Sequence, residues 1–171
     1  MKNRRIVARK IAFIGITASL ALLLSYIEFL LPPIFVAVPG IKVGLPNVVI
    51  LYVLYALGLK HAALVSLTRI CISSLLFGNA MTLLYSLVGA VLSLAVMVLL
   101  KKLGLFSCVG VSVAGGVMHN LGQVLVAMVL LDTPQIAFYM IVLTLTGTIS
   151  GVFIGLCGAL MIKRVPKAFK V

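Results

Sequence analysis

Residues 1–31 read MKNRRIVARKIAFIGITASLALLLSYIEFLL: the cations Lys2, Arg4, Arg5, Arg9 and Lys10 lead into an apolar stretch, residues 11–31, interrupted by one acid, Glu28. A helix rises about 1.5 Å per residue and a bilayer's hydrocarbon core is roughly 30 Å thick, so about 20 apolar residues cross it. The stretch therefore reads as a membrane span anchored by cations at one end. Its charge order is that of a signal peptide, but the apolar run outlasts signal length and residues 19–26 contain no convincing small-x-small cleavage site. A retained first helix is expected.

Working outward, apolar runs recur at 43–59, 62–77, 81–100, 106–131 and 135–162, which makes six with the first. The longest must tilt, whereas the second and third are short and read as broken or partly re-entrant helices. Six crossings return both termini to one side. Placing that side in the cytoplasm puts the N-terminal cations inside, together with Lys60, Lys101, Lys102, Lys163, Arg164, Lys167 and Lys170, and leaves only Lys42 outside. The positive-inside rule selects that orientation.

Composition agrees. Hydrophobic residues make up 64% of the 171, charged residues 9%, and mean hydropathy is +1.35, more apolar surface than a soluble fold of this size can hide. The expected fold class is an all-α polytopic membrane protein with six transmembrane helices, one integral domain over residues 1–171, multi-pass in the cell membrane. The net charge of +12 is dispersed among cytoplasmic ends, where anionic lipid headgroups attract it, and no nucleic-acid recognition module accompanies it.

No cofactor is expected. Cys71, Cys108 and Cys157 lie on three different runs without CxxC spacing, too few for an ordinary iron–sulfur cluster, and read as small packing residues. Of the two histidines, His61 belongs to the cytoplasmic edge, so His119 lacks a second axial partner for haem.

Residues 32–46 are rich in proline and glycine and form the extended irregular stretch, expected on the outer face. Pro32 and Pro33 end the first helix, Pro39-Gly40 turns, and Gly44 to Pro46 open the second. Such a segment is either a connector or a lid over a cavity. Small residues recur at Gly110, Ala114, Gly115 and Gly116 on the fifth run and at Gly147, Gly151, Gly155 and Gly158 on the sixth. In lipid, adhesion between helices comes from close backbone approach, so both are expected to pack tightly on a neighbour, in this chain or another. Ala8, Ala12, Gly15 and Ser19 make a further small stripe on the first helix.

The informative residues are polar ones that lipid should exclude: Glu28, Arg69, Asn79, His119, Asn120 and Gln123. Arg69 lies about 12 Å into its span, where a charge costs about 2.5 to 3.5 kcal/mol, so it must face protein or water. Glu28 is the one acid within a span. Arg69 and Glu28 form either a structural pair or a site in which Arg69, with Lys42, holds an anionic group in its planar fork. His119 and Gln123 share a helix face with Asn120 beside it, either as glue between helices or as a binding floor.

The segment Pro39-Gly-Ile-Lys-Val-Gly-Leu-Pro-Asn-Val-Val-Ile-Leu51, followed by Tyr55-Ala-Leu-Gly58, Thr68-Arg69, Ser73-Ser-Leu-Leu-Phe-Gly78 and Tyr85-Ser-Leu-Val-Gly-Ala90, resembles the Gx transporter family, also known as heptaprenyl diphosphate synthase component I. The resemblance covers nearly the whole chain. That family is in turn similar to the six-helix S components of energy-coupling factor (ECF) vitamin transporters. The resemblance implies a subunit that captures a small molecule from outside and docks on a transmembrane coupling protein driven by ATPases. Ala8 and Ala12 resemble the docking motif of S components. The chain has no tryptophan for ligand stacking, leaving Tyr26, Tyr52, Tyr85 and Phe77 for that part.

Catalysis by this subunit is not expected. Prenyl synthases hold magnesium diphosphate on aspartate-rich motifs, and the only acids here are Glu28 and Asp132. No GxxxxGK[ST] segment cradles ATP. The expectation is a binding and transport subunit for a small anionic molecule, its site drawn from Glu28, Lys42, Asn47, Arg69, Asn79, His119, Asn120 and Gln123, with residues 32–46 as lid. The alternative is a non-catalytic membrane component of a quinone- or flavin-linked electron-transfer or isoprenoid assembly.

Overall fold

The computed structural model describes residues 2–31, 44–132 and 134–165. It contains helices α1 (Lys2–Leu30), α2 (Asn47–Ala56), α3 (Leu59–Phe77), α4 (Ala80–Leu103), α5 (Cys108–Leu131) and α6 (Met140–Arg164), with a 3-10 segment, Pro134–Tyr139, before the last. No strand occurs among the described residues. Five helices, α2 excepted, contain a stretch long and apolar enough to cross a membrane. The protein is an all-α, multi-pass membrane protein.

The second apolar run, expected to be broken or partly re-entrant, forms a helix too short to cross a membrane by itself among the described residues. Helix α2 has ten residues, or about 15 Å, half of a hydrocarbon core. Its ends are clipped by backbone chemistry. Gly44 adopts φ +79° and Gly58 φ +86°, left-handed conformations that admit glycine most readily, and Pro46 fixes the helix entry at φ −62°. The third run, by contrast, is a full-length helix of 19 residues. Its first turn contains the polar Lys60 and His61, which is why the apolar run starts late. Helix α1 likewise extends back through the basic cluster, since Lys and Arg are good helix formers.

Side-chain contacts fix the directions. The Tyr26 and Phe29 rings near the end of α1 meet Phe77 at the end of α3, at centroid distances of 5.9 and 5.1 Å, so these helices run parallel. Helix α5 lies antiparallel to α4, with Gly122 on Gly89 and Gly115 on Met97. It is also antiparallel to α6, where Gly116 faces Gly147 and Val109 faces Gly155. Helix α2 runs alongside α6, Gly44 near Ile154 and Leu51 against Gly158. Lys101 at the end of α4 donates from Nζ to the Leu54 carbonyl at 2.7 Å. The start of α1 and the ends of α2, α4 and α6 thus share one end of the bundle, and the N-terminus of α2 lies at mid-depth.

Helix α2 is the hub. Val49, Ile50, Leu51, Tyr52, Val53 and Leu54 are each no more than 4% exposed. The last carbonyls of any helix lack intrahelical donors and burial keeps water from replacing them; Lys101 supplies one donor while placing a cation at the negative end of the helix dipole. Its ammonium also lies 4.8 Å from the Tyr55 ring centroid.

The α4–α5–α6 side packs backbone on backbone. A Cβ at Gly151 would stand 2.6 Å from Val113 Cα, one at Gly116 2.8 Å from the Gly147 carbonyl oxygen, and one at Gly122 2.8 Å from Gly89 Cα. The tight neighbours expected of the small residues therefore belong to this chain, and dispersion over closely apposed backbones holds the seams.

Candidate ligand-binding cavity

Because α2 stops at mid-depth, the space beyond its N-terminus is left for a cavity of about 190 Å³. Its walls come from α1, α3, α4, α5, α6 and the turn into α2. One wall is charged. Glu28 on α1 is buried and accepts a hydrogen bond from the Gly44 N–H, which ties the turn before α2 to α1. Arg69 on α3 lies near enough for the Glu28 charge to act on it. Its Nη2 donates to Asn47 Oδ1 at 3.5 Å, the outer limit of a hydrogen bond. Its Nε is buried and has no hydrogen-bond partner among the described residues.

The opposite wall is neutral. His119, Asn120 and Gln123 line it from α5 and Ser150 from α6. The His119 ring sits where a Cβ on Gly89 would lie 3.0 Å from it, so α4 makes room by carrying glycine there. Asn120 donates from Nδ2 to the Leu143 carbonyl at 2.7 Å, fastening α5 to α6 while its residue still borders the cavity. Phe29, Phe77 and Tyr85 supply aromatic surface toward the end opposite the termini, and Ser73, Ser74, Thr82 and Ser86 add hydroxyls. A site with few charges, several neutral polar groups and an aromatic rim binds a small organic molecule more readily than a metal. Among the described residues no group of three His, Cys, Asp or Glu side chains forms a metal cluster.

The structure brings together six of the eight residues singled out from sequence: Glu28, Asn47, Arg69, His119, Asn120 and Gln123 all line this cavity. Lys42, and residues 32–43 of the lid segment, lie outside the described residues. Asn79 is spent elsewhere. It is exposed and caps α4, its Oδ1 accepting from the Thr82 N–H at 2.9 Å while its own N–H donates to Thr82 Oγ1 at 2.8 Å. Neighbouring Gly78 and Thr82 reach the cavity instead. The serines were missed because hydroxyls are common in membrane helices, where they bond back to their own backbone, as Ser73 Oγ does to the Ile70 carbonyl.

A family model described as heptaprenyl diphosphate synthase component I matches residues 17–161. The chain belongs to that family. No curated protein and no solved structure matches it. The matched range takes in every described cavity residue of this family member and leaves Ala8 and Ala12 outside. Those two alanines, with Gly15 and Ser19, are exposed along α1, and a Cβ at Gly15 would meet nothing within 4 Å. The family's description speaks of a synthase component, and the acids available to this member are separated. Glu28 is inside the cavity, whereas Asp132 is exposed at the C-terminus of α5 with φ +45°.

Proposed function

We propose that this chain is the membrane-embedded binding subunit of a multicomponent transport system, taking a small polar molecule from the outer side into the cavity beside Arg69. The observation that carries the reading is a buried guanidinium midway along an apolar helix, its Nε–H without a partner among the described residues, facing a cavity lined by hydrogen-bonding side chains. A charge at that depth is costly, and a purely structural role would have satisfied all its donors. Arg69 anchors the ligand, and His119 and Gln123 form the floor. The termini and the exposed Ala8–Ala12 face lie on the cytoplasmic side, where a transmembrane coupling protein with ATPases would dock. The subunit itself does not catalyse, because magnesium diphosphate chemistry needs clustered carboxylates, and its membrane is the cell membrane.

The test is native mass spectrometry of the protein drawn gently from its own membranes, with Arg69→Met in parallel. The expected result is a retained small molecule on the wild type, its loss in the variant, unchanged helical content, and co-purifying ATPase subunits. Equal ligand occupancy in Arg69→Met, or a bound flavin, quinone or prenyl synthase in place of ATPases, would overturn the reading.

A further inference from the structure

The open donors of Arg69 and the aromatic rim of the same cavity narrow the class of ligand, an extension that rests on the binding-subunit reading. Arg69 borders the cavity with a buried Nε–H that has no partner among the described residues, and its Nη2 reaches Asn47 Oδ1 only at 3.5 Å. Nε and Nη2 form one edge of the guanidinium. That edge presents two parallel N–H donors spaced for the two oxygens of a carboxylate, in bonds roughly twice as strong as those to a neutral acceptor. An alcohol or a primary amide brings a single acceptor oxygen and leaves one of the two donors without a partner.

The end of the cavity beyond Arg69 is aromatic. Arg69, Ser73 and Phe77 follow one another at four-residue intervals along α3, and all three line the space. Over about two turns, or about 12 Å, the wall passes from a guanidinium through a hydroxyl to a ring. Phe29 of α1 joins Phe77 there at a centroid distance of 5.1 Å. Ser73 donates its hydroxyl hydrogen to the Ile70 carbonyl at 3.2 Å, so the strong pull on a ligand comes from the two ends. Volume limits what can lie between them. An apolar cavity of about 150 Å³ accommodates benzene, so the space of about 190 Å³ here has room for one ring and one carboxylate. It falls short of the roughly 300 Å³ at which sites for drug-sized ligands begin.

We infer that the ligand is a small arylcarboxylate, its carboxylate on the Nε–Nη2 edge of Arg69 in place of the weak contact to Asn47, and its ring against Phe77 and Phe29. Thermal-shift titrations of the purified full chain in lipid nanodiscs test it with benzoate, phenylacetate and 3-phenylpropionate, set against acetate, benzamide, benzyl alcohol and inorganic phosphate. The expected outcome is that one or more of the arylcarboxylates raises the melting temperature where benzamide, benzyl alcohol and phosphate do not, with acetate at least about tenfold weaker for want of a ring to bury. Arg69→Lys keeps the charge but loses the planar fork, and weakens the arylcarboxylate by roughly tenfold or more. Phe77→Ala shrinks the advantage of the arylcarboxylate over acetate by roughly 2- to 10-fold. Glu28 lies near enough for its charge to act on Arg69, so Glu28→Gln removes a like charge from beside the bound carboxylate and strengthens binding at least about threefold.

An equal response to benzamide, benzyl alcohol or phosphate, an acetate response equal to that of the arylcarboxylates, unchanged affinity in Arg69→Lys, or weaker binding in Glu28→Gln overturns the assignment. Where a variant does not fold, the wild-type probe series decides by itself. The two readings fail separately. If native mass spectrometry finds an Arg69-dependent small molecule that has no carboxylate, the binding-subunit reading stands and the arylcarboxylate falls. If the protein carries no small molecule and answers to no probe, both fall.

Discussion

Helices α2 and α5 each pack between neighbours, and they do so by opposite means. Helix α5 is long and packs through absences: Gly115 and Gly122 let α4 approach, and Gly116 lets α6 approach. Helix α2 is short and packs through side chains projecting in every direction, from Val49 to Leu54. The first arrangement brings backbones together and leaves little space. The second, by ending at mid-depth, opens the cavity that the charged residues line. Adhesion and vacancy are thus assigned to different parts of one bundle.

The comparison is broken most severely at a seam glycine. Gly151→Leu drives a side chain into Val113 Cα, a backbone atom that cannot step aside, and should cost about 3 kcal/mol or more. The expected result is loss of the monodisperse peak in size-exclusion chromatography. Gly15→Ala, where a Cβ meets nothing within 4 Å, serves as the matched control and should remain within about 0.5 kcal/mol of wild type. A tolerated Gly151→Leu would show that the α5–α6 seam is looser than its backbone distances imply.

Leu51→Ala attacks the other mode. Leu51 is 1% exposed and packs on Gly158, so truncation leaves a void. A destabilisation of about 2 kcal/mol is expected, the low end for such changes because the unfolded reference remains in lipid. Thermal unfolding in detergent reads it. Lys101→Met keeps the stem but removes the donor to the Leu54 carbonyl, leaving a helix-end acceptor with one partner fewer, and should cost about 1 to 2 kcal/mol. Ligand retention in native mass spectrometry should survive, since Lys101 is at the opposite end of α2 from the cavity. The smallest effect belongs to Asn79→Ala, which strips the cap of α4 and should cost about 1 kcal/mol while leaving binding unchanged. Loss of binding without loss of stability would return Asn79 to the site.

Much of the fold was legible because lipid makes severe demands on a sequence. Apolar length reports a span, and glycines spaced along α5 and α6 report close approach, since each follows from one helix considered alone. The length of α2 was not legible in the same way. Residues 43–59 were short enough to read as a broken or partly re-entrant helix, but only the positive φ angles at Gly44 and Gly58 show where the helix is cut. Polar cost likewise pointed to Glu28, Arg69, His119, Asn120 and Gln123, but the same criterion drew in Asn79, which lies at a helix end where capping removes the penalty. The cavity serines and Thr82 gave no signal, because a hydroxyl can satisfy itself on its own helix wherever that helix faces.

What the sequence by itself determined is class and cost: an all-α membrane chain, and a short set of residues too polar to face lipid. Only the tertiary structure decided that Arg69, Glu28 and Asn47 meet across three separate segments and share a cavity with α5. It also decided that the glycine seams close within this chain. The physical reason is range. Desolvation acts on each residue where it stands and is written into local composition, whereas hydrogen bonds and charge pairing require partners brought within a few ångströms, and that proximity exists only once the helices have packed.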